Sequence, residues 1–320
     1  MLFIFCAVIL HAADKKNILL IAGLPSHGSG EHEHNAGVQL FAKGLNQAVP
    51  NLVNVEVLLN GEWPNEKQID SADTIVIYSD GGKKHPALAH LDQLANKMSK
   101  GCGFVCIHFA VEPAYERAGW PSVNNQPVSP PPPERFSTGK GSKEFKDWLG
   151  GYFEQFYSVN PHWLSNFQSL PEHPISRGVS IFNSQDEWYF HMRFRDKMEG
   201  ITPILVSRVP SEIINENDTT HGGNPDVRRE VLEEKKPQIM AWAVTRNDGG
   251  RGFGFTGGHY HSGWANDNQR KLVLNAILWT AKVEVPAQGV ETHFSEEELS
   301  ANLDKKLPRK SVVKSEEKKK

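Results

Sequence analysis

The run Gly103-Phe104-Val105-Cys106-Ile107-His108 carries the strongest signal of the fold. An uncharged, apolar run that ends in an imidazole is typical of a parallel strand that is buried on both faces. Asn17 to Ala22 is a similar apolar run, and Asp73 to Tyr78 is another, which is followed by Asp80. The sequence therefore predicts several buried parallel strands with polar side chains at their carboxyl ends.

Helical patterns separate these strands. Residues 36–49 and 88–98 carry apolar side chains at helical spacing, with a further strand at Val53 to Leu58 between them. Because strand and helix alternate over the first 110 residues, we expect an α/β fold. Its doubly wound, mostly parallel sheet would have helices on both faces and loop insertions. The remaining predicted elements are strands at 202–207, 238–245 and 252–256 and helices at about 144–152 and 266–282.

The bulk composition excludes several kinds of partner. A net charge of −3 and a pI near 6.5 offer no electrostatic reason to expect nucleic acid or an anionic membrane. The three cysteines (Cys6, Cys102 and Cys106) are too few for a disulfide framework. The longest apolar run, Leu2 to Leu10, is too short to span a bilayer as a helix, so we expect no transmembrane segment.

The two ends of the chain differ from its body. Residues 1–13 are similar to a signal peptide, so we expect export to the periplasm or the exterior. The protein would be cytoplasmic if this segment is not a signal. One domain is expected over residues 17–283, with a proline-rich insertion at about 112–143. Residues 284–320 would form a C-terminal extension that is disordered from Lys305 onwards.

The distribution of the fourteen histidines is the main functional signal. Imidazole exchanges protons or binds metals near neutral pH. In open parallel sheets, ligands collect at the carboxyl ends of the strands. We therefore expect one crevice to contain the polar residues that follow the predicted strands, which are His27, Asp80, His108 and His259.

His108 and Glu187 are the predicted acid–base pair. His108 ends its strand, and Glu187 lies beside Trp188, where desolvation would raise the pKa of the carboxyl and suit acid–base catalysis. Two alternatives stay open: His108 only holds its turn, or Glu187 accepts backbone hydrogen bonds or pairs with Arg193 or Arg195.

A divalent metal such as zinc is a second hypothesis. His259 and His261 alternate along an extended segment, so both would point one way and share an ion. A third ligand would come from His32 and His34, or from Glu31 and Glu33. Alternatively, residues 31–34 are a helix N-terminus whose acidic residues complement the helix dipole.

Aromatic residues beside these positions suit a carbohydrate, because their faces stack on sugar rings. The predicted substrate-binding residues are His27, Asp80, Trp188, Tyr189, His261 and Trp264. Core packing explains any single aromatic residue more economically.

Four motifs in order resemble the ThuA-like (trehalose-utilisation) family over about residues 17–283. They are Ser26-His27-Gly28, the stretch 101–108, Asp186-Glu187-Trp188-Tyr189, and Gly258-His259 before Trp264. The resemblance implies a fold like that of class I glutamine amidotransferases and a role in trehalose or 3-keto-sugar metabolism. In those amidotransferases a cysteine nucleophile occupies the turn that here holds His108, so we do not expect glutamine hydrolysis.

The leading hypothesis is an enzyme acting on a sugar or 3-keto-sugar by hydrolysis, elimination or isomerisation. His108, Glu187 and His259 would be its catalytic residues. The alternatives are a non-catalytic carbohydrate-binding or scaffold protein, and a metal-dependent hydrolase of another substrate. The sequence leaves open the reaction, a homo-oligomeric state, and whether the insertion covers the site.

Overall fold

The computed structural model describes residues 14–114, 122–123, 126–127, 139–155, 157–214 and 225–306. The predicted signal peptide at 1–13 and most of the predicted insertion lie outside the described residues. The described α-helices are α1 (His34–Ala48), α2 (Glu66–Ser71), α3 (Leu91–Met98), α4 (Ser142–Leu149), α5 (Pro225–Arg228), α6 (Asp267–Thr280) and α7 (Glu296–Leu299). The described strands are β1 (Lys16–Ala22), β2 (Val53–Leu58), β3 (Thr74–Tyr78), β4 (Gly103–Ile107), β5 (Ser122–Val123), β6 (Gln126–Pro127), β7 (Gly151–Tyr152), β8 (His162–Phe167), β9 (Phe182–Glu187), β10 (Arg193–Phe194), β11 (Ile201–Ser207), β12 (Gln238–Thr245) and β13 (Arg251–Phe255).

A seven-stranded sheet in the order β11-β12-β13-β4-β3-β1-β2 forms the centre of the molecule. The five strands from β13 to β2 are parallel, whereas β12 and β11 add an antiparallel edge. This confirms the predicted α/β fold with a mostly parallel sheet, and the order β2-β1-β3-β4 is that of flavodoxin-like sheets. The carboxyl ends of β1, β3, β4 and β13 therefore meet at one edge.

Alternation along the strands explains the two helical layers, because successive side chains of a strand point to opposite faces. In β1, Ile18 and Leu20 belong to the core shared with α1 and α6. Leu19 and Ile21 belong to the core shared with α2, α3 and α4. Both faces of the sheet are thus buried, as the continuous apolar runs predicted.

An antiparallel hairpin of β8 and β9 lies outside the central sheet and was missed from the sequence. Its strand β8 alternates strictly between exposed and buried side chains, with Trp163, Ser165 and Phe167 turned inward. The pairing sets His162 opposite Glu187, which is the last residue of β9. This hairpin therefore delivers a predicted site residue to the sheet edge from a separate element.

Part of the C-terminal extension packs against the body of the protein. Arg270 of α6 donates hydrogen bonds to Thr292, and Asp304 accepts a hydrogen bond from Asn35 at the start of α1. The side chain of Lys306, the last described residue, is only 6% exposed. Within the described residues, no helix is both long enough and apolar enough to cross a membrane.

A buried histidine, His85, makes the stability of this fold sensitive to pH. Its Nδ1 accepts a hydrogen bond from the backbone of Ala87, and its Nε2 donates one to the carbonyl of Ala110, so the ring is held neutral. Burial lowers the pKa of His85 to about 4, although the bond to Ala110 opposes this. Between pH 6.5 and 4 the unfolded chain binds a proton here that the folded chain does not, so stability falls as pH falls.

We expect this histidine to remove about 2 kcal/mol from the free energy of unfolding between pH 7 and pH 5. His85→Asn keeps an acceptor for the Ala87 amide but cannot titrate. Urea unfolding at both pH values should show a loss in the wild type that exceeds the loss in the variant by this amount. Equal losses in the two proteins would contradict the assignment.

Candidate metal centre

Three imidazoles and a carboxylate meet at the carboxyl edge of the sheet. His32 lies in the loop after β1, His108 directly follows β4, His259 follows β13, and Glu187 ends β9. All four are buried, and Glu187, the most exposed of them, is only 7% exposed. One nitrogen or oxygen atom from each lies within 4.8 Å of the others.

The distances within this cluster fit the ligands of a single ion. The Nε2 atom of His32 lies 3.0 Å from Nδ1 of His259 and 3.1 Å from Nε2 of His108. The Oε2 atom of Glu187 lies 3.0 Å from Nδ1 of His259 and 3.5 Å from Nε2 of His108. Tetrahedral ligands bound at about 2.0–2.1 Å are separated by about 3.3–3.4 Å.

The outer ring nitrogens of two histidines are tied to acceptors. Nδ1 of His32 lies 2.8 Å from Oδ1 of Asp80, and Nδ1 of His108 lies 2.9 Å from the carbonyl oxygen of Thr256. Both Nδ1 atoms must donate, so in the neutral rings both Nε2 atoms point lone pairs inward. Two lone pairs 3.1 Å apart repel unless a cation or a proton lies between them. Such outer hydrogen bonds are typical of histidines that bind metals.

The charges within the cluster are consistent with a cation site. Burial acts to raise the pKa of Glu187, but hydrogen bonds from His108 and His259 outweigh burial and hold this pKa well below its usual range. Burial lowers the pKa of His32 to about 2, although its bond to Asp80 opposes this, so the ring stays neutral. Burial also acts to lower the pKa of His108, yet the hydrogen bond and charge of Glu187 raise it. A proton on His108 thus supplies the positive charge when no metal does.

The backbone is strained where it presents these rings. His27, His32 and His108 have φ angles of 59°, 46° and 57°, in the left-handed region that residues with a Cβ atom rarely occupy. Such conformations persist only where surrounding contacts impose them, and they concentrate at functional sites. At His108 the change from strand to left-handed backbone begins the turn 108–111.

Asp186 holds the loop that carries His259. Its carboxylate accepts hydrogen bonds from the backbone N–H groups of Gly258, His259 and Glu187, at 2.7, 2.9 and 2.9 Å. Gly258 has a φ of 106°, which favours glycine, and its carbonyl accepts a hydrogen bond from the hydroxyl of Tyr78. The loop conformation is therefore fixed by buried polar contacts on both sides.

Two half-exposed imidazoles flank the buried cluster. His27 stacks on His32 with ring centroids 3.5 Å apart, and Ser26 links this side to Asp80 by a 2.8 Å hydrogen bond. On the other side, Nε2 of His162 lies 3.6 Å from Oε1 of Glu187. The side chains of His27 and His162 are 37% and 40% exposed, so a ligand can approach the cluster beside them.

Asn160 and His162 are site residues that sequence reasoning missed. Asn160 donates a 3.0 Å hydrogen bond to Oε1 of Glu187. Asn160 precedes β8 and His162 is its first residue, and only the pairing of β8 with β9 brings them to Glu187. The alternating pattern of β8 was the available signal.

Of the predicted aromatic site residues, one lies at the cluster and two lie in the core. Tyr189 lies at the cluster, with its hydroxyl 3.3 Å from Oε2 of Glu187 and 3.4 Å from Nε2 of His108. Trp188 and Trp264 are fully buried in the core, so neither indole is presented to a ligand. For these two residues the core-packing alternative is the correct one.

His261 and His34 also lie outside the cluster. The expected pairing of His261 with His259 is corrected, because the backbone enters a turn at 261–265 and Nε2 of His261 contacts the carbonyl of Leu299 at 2.8 Å. His34 begins α1, where its Nδ1 lies 3.1 Å from the carbonyl of Leu24 and its Nε2 is 3.9 Å from Asp80.

The thiol of Cys106 lies in the strand that leads to His108. Cys106 is fully buried in β4, on the sheet face that packs against α3 and α4, and burial raises its pKa well above the usual value. A thiolate is therefore disfavoured there near neutral pH.

The sheet order and the polar crevice at its carboxyl edge define a flavodoxin-like α/β protein with a histidine-lined site. The ThuA family, described as trehalose utilisation, matches residues 24–280, and the chain belongs to this family. A ThuA-like protein from Bacteroides uniformis ATCC 8492 is 15% identical, with a TM-score of 0.52 over 84% of this chain and 93% of that one. A cytoplasmic protein from Salmonella typhimurium LT2 is 12% identical, with a TM-score of 0.44 over 82% and 99% of the two chains. No curated protein matches the sequence.

Replacing Asp186 with Asn should destabilise the protein. The amide keeps one acceptor but sets its NH₂ group against a buried backbone N–H, which costs about 2–4 kcal/mol. Asp196→Asn is the control, because this carboxyl is 96% exposed and its pairing with Lys146 contributes little. Urea unfolding of both variants measures the difference, and equal stability would contradict the role given to Asp186.

Proposed function

We propose that this protein is a divalent-metal-dependent enzyme that acts on a sugar or keto-sugar. The metal ligands would be His32, His108, His259 and Glu187. The observation that carries the proposal is the convergence of three buried ring nitrogens and one carboxylate oxygen at ligand spacing. The bonds of His32 and His108 to outer acceptors support it further, because they orient the inner lone pairs.

The donor set favours a first-row transition metal over magnesium or calcium. Imidazole suits zinc, iron, nickel and copper, whereas magnesium and calcium prefer oxygen ligands. Zinc is the first ion to test, since histidines with a carboxylate are common zinc ligands. The bound ion would act as a Lewis acid on an oxygen of the substrate.

Two features support a sugar as the substrate. The family to which the chain belongs is described by trehalose utilisation. The approach to the cluster is polar, with His27, Asp80 and Lys84 on one side and Asn160 and His162 on the other. Hydrogen-bonding groups of this kind suit hydroxyls, and the carbonyl and neighbouring hydroxyl of a keto-sugar would offer a metal two oxygens.

Glu187 is the proposed base. Its Oε2 faces the imidazoles and accepts a hydrogen bond from Tyr189, while its Oε1 faces Asn160 and His162 on the approach side. Burial raises the pKa of Tyr189 well above 10, so the hydroxyl stays protonated and orients the carboxylate. Oε1 would then take a proton from a carbon beside a carbonyl, as isomerisation or elimination requires. In this proposal His108 binds the metal, whereas Glu187 binds it through Oε2 and takes the proton through Oε1.

Metal content tests the first half of the proposal. Protein purified without chelator, or loaded with zinc and desalted, should contain about one ion per chain, and added zinc should raise the melting temperature. His32→Ala should lose at least nine tenths of the bound metal. His293→Ala removes an exposed imidazole that is not part of the cluster, and this variant should bind metal as the wild type does. Metal-free wild-type protein that also fails to bind added zinc, manganese, iron, cobalt or nickel would refute the proposal.

Turnover tests the second half. A panel of glycosides and 3-keto-glycosides, analysed by mass spectrometry, should give product with the metal-loaded wild type and none after chelation. Glu187→Gln, assayed at saturating metal with its metal content measured, removes the general base and a charged ligand and should lower kcat by at least about 10²-fold. The exposed carboxyl of Glu291 supplies the control variant Glu291→Gln, which should keep full activity. Saturable sugar binding without product would instead identify a non-catalytic carbohydrate-binding protein.

A further inference from the structure

The C-terminal extension returns to the loop that carries His32. Lys306 lies beyond the family match, which ends at residue 280. Its ammonium group donates hydrogen bonds to the carbonyl oxygens of Glu31 and His32 and lies 3.2 Å from Oε1 of Glu33. The peptide groups on both sides of the His32 Cα atom are thus held by a side chain from the far end of the described chain.

Glu33 completes this contact as a buried anion. Its side chain is fully buried, its Oε1 accepts a 2.8 Å hydrogen bond from the backbone of Gly30, and its Oε2 accepts one of the same length from Asp304. The carboxylate therefore joins the start of the loop, the ammonium of Lys306 and the backbone of the extension. Removing one partner of such a buried pair leaves the other charge uncompensated, which strongly destabilises the folded protein.

The same extension contacts the second ligand-bearing loop. The carbonyl of Leu299 accepts a hydrogen bond from Nε2 of His261, two residues after His259. The two loops are joined by backbone hydrogen bonds from His32 to His259 and from His261 to Gly30, each 2.9 Å. The extension therefore packs against a unit that presents both His32 and His259.

We propose that Lys306 is a positioning residue for the metal ligand His32, an inference that rests on the proposed function. His32 has a left-handed backbone with φ of 46°, which requires an external contact to persist. Lys306 provides that contact by binding the carbonyls of Glu31 and His32. In this position it directs Nε2 of His32 towards the nitrogens of His108 and His259.

The test compares zinc affinity with the stability of the metal-free protein. Lys306→Met keeps the aliphatic stem and removes the ammonium, and it should weaken zinc binding at least tenfold in a chelator-competition titration. Lys306→Arg restores a cationic donor and should bind within about threefold of the wild type. Lys43→Met is the matched control. It breaks the ion pair between Lys43 of α1 and Glu298 of the extension but leaves the contacts of Lys306 with the His32 loop in place. It should bind zinc as the wild type does.

A second variant separates positioning from folding. Glu33→Gln combined with Lys306→Met removes both buried charges, so the metal-free protein should melt closer to the wild type than Lys306→Met alone. Its zinc affinity should stay at least tenfold weakened, because the carbonyls of Glu31 and His32 still lack their donor.

The outcomes distinguish this inference from the proposed function. If the wild type binds no zinc or other divalent metal, the proposed function fails. If the wild type binds zinc and either Lys306→Met or the double variant binds it equally well, Lys306 does not position His32, although the metal site stands. If Lys43→Met weakens binding as much as Lys306→Met does, the effect belongs to the extension as a whole, and the assignment to Lys306 is overturned.

Discussion

The close approach of the Nε2 atoms of His32 and His108 is the contact on which the site depends. Both rings are buried, and each has its other nitrogen committed to an acceptor, Asp80 or the carbonyl of Thr256. Two neutral rings in this arrangement would set lone pair against lone pair at 3.1 Å. The fold therefore holds a place for positive charge, and Glu187 supplies the compensating negative charge.

Much of the surrounding structure maintains this unfavourable approach. The parallel sheet brings the ends of β1, β4 and β13 to one edge, and its two apolar faces fix the strands between helical layers. Asp186 then secures the loop of His259 through three backbone hydrogen bonds. Strained left-handed conformations at His32 and His108 are tolerated because these contacts overdetermine the backbone. The stability of the scaffold thus offsets the repulsion between the ring nitrogens of His32 and His108.

The sequence predicted the scaffold well because buried parallel strands have a strong local signature. The predicted strands 53–58 and 238–245 have the bounds that the structure gives them, and the final helix differs by one or two residues at each end. The hairpin of β8 and β9 was missed, since its alternation is short and lies in an aromatic-rich stretch. Asn160 and His162 were missed for the same reason, because they approach Glu187 only through the pairing of β8 with β9.

The sequence alone shows which polar side chains follow buried strands. As expected from this, His27, Asp80, His108 and His259 lie close together at the carboxyl edge of the sheet. The direction in which a ring points was decided only by the tertiary structure. His261 and His259 are two residues apart, yet a turn after Tyr260 sends one ring to Leu299 and the other to the cluster. The sequence allowed Trp188 and Trp264 to be pocket or core residues, and packing between the sheet and its helices made them core. Distances between residues far apart in the chain, such as Lys306 and Glu33, depend on how every intervening element packs, and no local pattern records them.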